Sequence, residues 1–258
     1  MPTNKCNLAL LLFRLENYED LLDHQEEYST REERREADKF ASPKNKYKLL
    51  SYILRRYVLA KYLKRPPLMI NFLYNDFGKP YLEDSEIDFS VSLSGKWFLM
   101  GLVKNRFVGV DLEMINYIPK LNSFINKYVS KEQKKALLTI KGYDKLVLTH
   151  LDWCMKESFM KARGFGIKDD FRSYNYIMEN PEIAAESDDY KKIFTWSLDN
   201  KYLTNATSNM HFYSYDEDLA LAITTMQHHT QVEGDSLGNN IIHYKVNPTL
   251  IDSDLLLF

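Results

Sequence analysis

Cysteine is scarce: Cys6 and Cys154 are the two in 258 residues, too few and too far apart for a disulfide framework or a cysteine-rich zinc site. A reducing cytoplasm is therefore the expected setting. An excess of charge is also missing. The 34 basic and 36 acidic residues leave a formal net charge of −2, which offers nucleic acid or an anionic membrane no global attraction. Any anionic ligand has to be held locally. Long apolar runs are lacking as well. Residues 8–13 fall short of a signal-peptide core, and nothing approaches the roughly 20 residues of a membrane span. None of the six histidines, the adjacent His228 and His229 included, has a partner at convincing zinc-ligand spacing.

What is present is a chain 45% hydrophobic and 27% charged, enough to bury a core as one large domain or two small ones. Residues 7–14 read as a buried strand, because a short apolar run with polar flanks fits a strand and not a helix. Residues 46–63 repeat apolar side chains at helical spacing until Pro66-Pro67 stops them. Strands are expected at residues 87–93, 98–103 and 107–113. The second half loosely repeats this order, with helical stretches at 121–139 and 143–163 and strands at 193–198, 211–215 and 219–226. The expected fold is α+β, in two similar halves at residues 1–115 and 116–227 with a cleft between them. A polar tail at 228–258 has no assigned chemistry.

Three segments carry groups suited to chemistry. In the strand Val108-Gly109-Val110-Asp111-Leu112-Glu113 the alternation puts Gly109, Asp111 and Glu113 on one face. Two neighbouring carboxylates resist joint ionisation unless a cation sits between them, and a hard divalent ion would serve. A solvated strand end has the same composition. In the helical stretch from Trp153 to Lys161, Trp153, Glu157 and Lys161 fall on one stripe, as would an ordinary surface Glu–Lys pair beside a packed tryptophan. Finally, Gly78-Lys79-Pro80 forms a turn presenting Lys79, and Ser92 and Ser94 share a strand face that ends at Gly95. Ammonium and hydroxyl groups suit a phosphate oxygen, although a polar hairpin looks alike.

In this order, Gly78-Lys79-Pro80, residues 89–97, Gly109 to Glu113, and Trp153 to Lys161 with Gly164 and Gly166 resemble the Sfp-type 4′-phosphopantetheinyl transferases. The resemblance runs from about Arg31 to about Met226. It implies a cytoplasmic monomer of two similar α+β subdomains that moves the 4′-phosphopantetheine arm of coenzyme A onto a serine of an apo acyl or peptidyl carrier protein and releases 3′,5′-ADP. It also implies Mg²⁺, or Mn²⁺ in its place, on Asp111, Glu113 and Glu157, with Glu157, Lys161 and Asp111 as catalytic groups. Coenzyme A would meet Arg31, Arg35, Lys48, Lys79, Ser92, Lys156 and Lys161. The carriers of such enzymes serve nonribosomal peptide, polyketide or fatty acid synthesis, and docking is expected along residues 124–135.

Two positions depart from the family pattern. Leu93 stands where histidine is usual and cannot donate a hydrogen bond. Lys44-Asn45-Lys46-Tyr47-Lys48 stands where an Asp-x-x-Arg pattern is common, so point charges replace the arginine fork. A family member that binds coenzyme A or a carrier without catalysis is the alternative these departures keep open. An unrelated Mg²⁺-dependent nucleotide enzyme and a scaffold protein are the other readings.

Overall fold

The first strand is buried on both faces. In β1 (Leu8–Arg14), Leu8, Leu10 and Leu12 enter one core while Ala9, Leu11 and Phe13 enter another. This explains why its sequence is a continuous apolar run and not an alternating one. The computed structural model describes residues 8–83, 85–164, 172, 176–177, 192–198, 208–215, 219–227 and 241–245.

After β1 come a 3-10 segment (Leu15–His24), α1 (Gln25–Tyr28), α2 (Arg31–Asp38) and α3 (Lys44–Leu63). Helix α2 starts at a reciprocal capping box in which Thr30 and Glu33 satisfy each other's backbone amides. Helix α3 ends at Lys64, whose φ of 53° turns the chain out of the helix just before the proline pair. A short hairpin, β2 (Phe72–Tyr74) and β3 (Pro80–Leu82), precedes β4 (Ile87–Ser94), β5 (Trp97–Lys104) and β6 (Arg106–Met114). Then follow α4 (Leu121–Tyr128), α5 (Lys131–Thr139) and α6 (Gly142–Arg163). The last strands are β7 (Tyr176–Ile177), β8 (Lys192–Leu198), β9 (Ser208–Tyr215), β10 (Leu219–Gln227) and β11 (Ile241–Lys245).

Besides the hairpin, two sheets result, in the orders β11-β1-β5-β4 and β6-β10-β9-β8-β7. Pairing is antiparallel except for β11, which lies parallel to β1. The α+β class is thus observed. The stretch expected as one helix at 121–139 is two, because Ser130 leaves the helical conformation and caps α5 through the Gln133 amide. The tail given no role contributes β11 to the first sheet. Gly166 and the rest of the tail, 228–240 and 246–258, lie outside the described residues.

Alternation sorts the side chains into layers. Helix α3 covers one face of the first sheet through Leu50, Leu54 and Val58, which meet Phe13, Phe89 and Phe98. Between the two sheets lie Leu8, Leu10, Leu12, Leu99 and Val103 from one side and Val108, Val110, Leu112, Leu219, Leu221 and Ile223 from the other. Helix α6 covers the far face of the second sheet, where Met155, Phe159 and Ala162 meet Ala220 and Ala222. Each such large side chain contributes about 1.5–3 kcal/mol by leaving water. The order helix, sheet, sheet, helix brings β4, β6 and α6 together, and the charged residues gather there. No described helix is long and apolar enough to cross a membrane.

Candidate active site

Strand β6 ends its sheet, so every second amide along its outer edge needs a partner from elsewhere. Strand β4 supplies them from its side chains. Asp88 Oδ2 accepts the Val108 amide at 2.7 Å, Ser90 Oγ that of Val110 at 3.0 Å, Ser92 Oγ that of Leu112 at 3.2 Å, and Ser94 Oγ that of Met114 at 3.1 Å. Two rungs continue into the site. Ser92 Oγ donates to Asp111 Oδ1 and Ser94 Oγ to Glu113 Oε2, each at 2.9 Å. The intervening residues of β4 point the other way: Phe89, Val91 and Leu93 pack on the α3 side.

As the alternation of β6 implied, Val108, Val110 and Leu112 enter the core between the sheets. The opposite face, with Gly109, Asp111 and Glu113, receives α6. A Cβ built on Gly109 would stand 1.8 Å from the Ser158 carbonyl oxygen and 2.4 Å from the Ala162 nitrogen. Only glycine lets the helix backbone lie this close. Helix α6 is also held to the neighbouring strand, since Ser158 Oγ shares a hydrogen bond of 2.9 Å with Thr224 Oγ1 of β10, the residue paired with Gly109. The helical repeat then places Glu157 and Lys161 on one stripe above the strand.

Lys161 Nζ donates to Asp111 Oδ1 at 2.6 Å and to Ser92 Oγ at 3.3 Å. Burial works against its charge, but Asp111 and Glu157 outweigh that and hold the ammonium above its ordinary pKa. Burial pushes the Glu157 carboxyl up to about 7, helped by the negative charge of Asp111 and Glu113 and opposed by Lys161. Glu113 also rises, through burial first and Asp111 second. Asp111 itself is 3% exposed, and its Oδ2 is buried without a hydrogen-bond partner.

That orphaned oxygen tests whether the residues suit a metal. A buried carboxylate oxygen without a hydrogen bond is costly, and the negative charge of Asp111 adds to burial in raising the Glu113 and Glu157 carboxyls, an effect that a nearby cation would reverse. The carboxylates offer hard oxygens, as Mg²⁺ prefers. Among the described residues no three His, Cys, Asp or Glu side chains converge into a cage that could hold an ion alone. Mg²⁺ commonly takes only one or two carboxylates and completes its shell with water and substrate phosphates. The residues fit an open site of that kind.

Of the residues expected from sequence, Asp111, Glu113, Glu157, Lys161 and Ser92 come together. Lys79 stands next to them but is committed, with its Nζ 2.7 Å from Asp88 Oδ2 and 3.3 Å from the Val108 carbonyl. Lys156 turns away: it is 2% exposed and donates to Asp152 Oδ2 at 2.8 Å and to the Tyr128 carbonyl at 3.0 Å, tying α6 to the end of α4. Arg31 and Arg35 are exposed on α2. Lys48, on α3, lies 4.7 Å from the centre of the Tyr52 ring. These three lie on α2 and α3, whereas the Asp111 group is carried by β4, β6 and α6.

Residues the sequence reading passed over include Asp88 and Asn75. Asn75 Oδ1 accepts the Phe77 and Lys79 amides at 3.0 and 2.9 Å, while its Nδ2 donates to the Gly164 carbonyl at 2.6 Å. The signal for the β4 ladder was present as polar residues at 88, 90, 92 and 94, in step with β6.

Residues 107–224, which include β6 and α6, match the family model of the 4′-phosphopantetheinyl transferase superfamily. A putative 4′-phosphopantetheinyl transferase of Synechocystis sp. is 31% identical over 140 residues, 53% of this chain and 57% of the relative. The 4′-phosphopantetheinyl transferase gsp of Aneurinibacillus migulanus is 30% identical over 131 residues, 50% of this chain and 53% of the relative. The Sfp transferase of Bacillus subtilis is 25% identical over 159 residues, 60% of this chain and 70% of the relative. The chain thus spans somewhat more than half the length of the first two. A solved holo-(acyl-carrier-protein) synthase from Bacillus anthracis, in complex with CoA, aligns with a TM-score of 0.38 and 18% identity, over 46% of this chain and 94% of its own. The region that matches the 4′-phosphopantetheinyl transferase superfamily model holds all four charged groups of the site, and Sfp-type enzymes are among the proteins the chain is similar to.

Proposed function

We propose that this protein transfers the 4′-phosphopantetheine arm of coenzyme A to a serine hydroxyl of an apo acyl or peptidyl carrier protein, with release of 3′,5′-ADP. The observation that carries the reading is the cluster of Asp111, Glu113, Glu157 and Lys161, with Asp111 Oδ2 buried and unpaired. The family supplies the reaction class, and the site supplies groups suited to it.

Asp111 and Glu113, with Glu157 beside them, would hold Mg²⁺, which when bound offsets negative charge on the pyrophosphate. Lys161, its ammonium anchored by Asp111, would add positive charge from the protein itself on the side of the leaving 3′,5′-ADP. Glu157 is our choice of general base. Its carboxyl, raised to about 7 without the ion, would be drawn toward the ionised, proton-accepting form by Mg²⁺ and could then take a proton from the acceptor serine near neutral pH. Attack of the serine oxygen on the pantetheine-linked phosphorus forms one P–O bond as the P–O bond to 3′,5′-ADP breaks. The other residues position the two partners.

The division into halves at 1–115 and 116–227, the cleft between them, a monomeric state and a cytoplasmic setting belong to the same reading. So do contacts of Arg31, Arg35, Lys48, Lys79, Ser92 and Lys156 with coenzyme A, although the ammonium groups of Lys79 and Lys156 have to leave their present partners to make them. The test is intact-mass measurement of an apo carrier incubated with the protein, coenzyme A and Mg²⁺, beside an Asp111→Ala control. A gain of one phosphopantetheine with the wild type alone supports the transferase. No gain over several carriers moves the reading to a binding protein without catalysis.

A further inference from the structure

We propose that Ser92 and Ser94 are positioning residues, which aim the carboxylates of Asp111 and Glu113 from the neighbouring strand; this rests on the transferase reading above. A serine hydroxyl has one hydrogen to donate. In Ser92 it goes to Asp111 Oδ1 and in Ser94 to Glu113 Oε2. The lone pairs of the same two oxygens accept the amides of Leu112 and Met114. Each carboxylate is therefore tied, through one hydroxyl, to the backbone amide of the residue that follows it in the chain. The loop closes over a few bonds and leaves the side chain little rotational freedom.

This use of the ladder is selective. Ser90 fills the same role toward the Val110 amide at 3.0 Å, but the residue before Val110 is Gly109, which has no carboxylate to aim. Asp88 accepts the Val108 amide and directs its charge to Lys79. The first two rungs thus join strands, whereas the last two also set the site. Phosphate contact by Ser92 would require its hydroxyl hydrogen to leave Asp111. Groups that orient a metal ligand are commonly worth 10- to 100-fold in metal affinity or activity when removed.

Ser90 is the internal control. Ser90→Ala, Ser92→Ala and Ser94→Ala each orphan one β6 amide, so all three lower the unfolding midpoint to a similar extent. The readouts are Mn²⁺ affinity, followed by the loss of the free-ion electron paramagnetic resonance signal, and kcat and KM for coenzyme A in carrier modification. We expect Ser92→Ala and Ser94→Ala to weaken Mn²⁺ binding and lower kcat about tenfold or more. Ser90→Ala stays within about twofold of the wild type, and Ser94→Thr, which keeps the hydroxyl, recovers both quantities. Equal losses in Ser90→Ala and Ser94→Ala would reduce the ladder to a general sheet-edge support and overturn the inference. So would wild-type Mn²⁺ affinity and kcat in Ser92→Ala and Ser94→Ala. A wild-type protein that neither binds Mn²⁺ nor modifies any carrier overturns the transferase reading itself, and this inference with it.

Discussion

Asn75 and Gly164 stand 89 positions apart, yet the Asn75 side-chain amide donates to the Gly164 carbonyl at 2.6 Å. Gly164, at φ 71°, is the residue that ends α6, and Asn75 heads the turn that carries Lys79. One side chain thus locks the hairpin of the first half to the end of the helix that bears Glu157 and Lys161.

Replacing Asn75 should loosen that lock. Asn75→Asp keeps an oxygen for the Phe77 and Lys79 amides but sets a second acceptor against the Gly164 carbonyl. We expect a loss of about 1–3 kcal/mol in urea unfolding, at least as large as for Asn75→Ala. An Asn75→Asp protein as stable as the wild type would show that the turn, and not the bridge to Gly164, is what matters.

Gly109 gives the sharpest steric expectation. A methyl group there meets the α6 backbone at 1.8 Å and 2.4 Å, and backbone cannot swing aside as a flexible side chain does. Gly109→Ala should cost about 3 kcal/mol or more, or leave little folded protein. Carrier modification should fall further than stability, because any shift of α6 displaces Glu157 and Lys161 from Asp111. Urea unfolding and carrier modification measured on one preparation separate the two effects.

What could be read before the fold followed from local rules. The period-2 pattern of β6 put Gly109, Asp111 and Glu113 on one face, and the helical repeat of α6 put Glu157 and Lys161 on one stripe. That these two surfaces meet was implied by family resemblance and not by spacing. Pairing between distant elements was out of reach. The hydroxyls of Ser92 and Ser94 looked free for a phosphate because the polar alternation of β4 at 88, 90, 92 and 94 does not say which strand edge lies beside it. Lys156 sits beside Glu157 in the chain, but one helical step of about 100° carries it to another side of the helix, where Asp152 and Tyr128 bind it. The break at Ser130 carries a local signal, Ser130 with Gln133 three residues on as a helix cap, which the helical spacing over 121–139 masked.

A second cluster, away from the site, should control stability alone. Glu33 is 8% exposed and binds Arg55 at 2.9 Å and Arg56 at 2.7 Å, while Arg56 also donates to the Pro67 and Ile70 carbonyls. Removing the shared carboxylate leaves two buried guanidinium groups side by side. Glu33→Ala should cost about 3–5 kcal/mol, and Glu33→Gln less. A cost below about 1 kcal/mol by urea unfolding would mean that water reaches the arginines.

The last expectation concerns pH. The Glu157 carboxyl titrates near 7 in the folded protein against an ordinary value of 4.5, so the folded state holds its proton more tightly than the unfolded chain does. Between about pH 4.5 and pH 7, unfolding therefore releases a proton, and stability falls as pH rises through that window before levelling off. At 1.36 kcal/mol per pKa unit the full effect is about 3 kcal/mol, and solvent screening at this half-buried group reduces it to about 1–2 kcal/mol. Glu113 shifts in the same direction and adds to the slope. Unfolding midpoints of the wild type and Glu157→Gln, compared at pH 5, 6, 7 and 8 in the presence of a chelator, isolate the Glu157 share. The midpoint difference should move in favour of Glu157→Gln as pH rises to 7 and stay constant above it. Millimolar Mg²⁺ with coenzyme A should reverse the trend for the wild type, because a bound cation favours the ionised carboxylate. A midpoint difference that does not vary with pH would mean that Glu157 ionises like a solvent-exposed carboxyl, and its choice as general base would then fail.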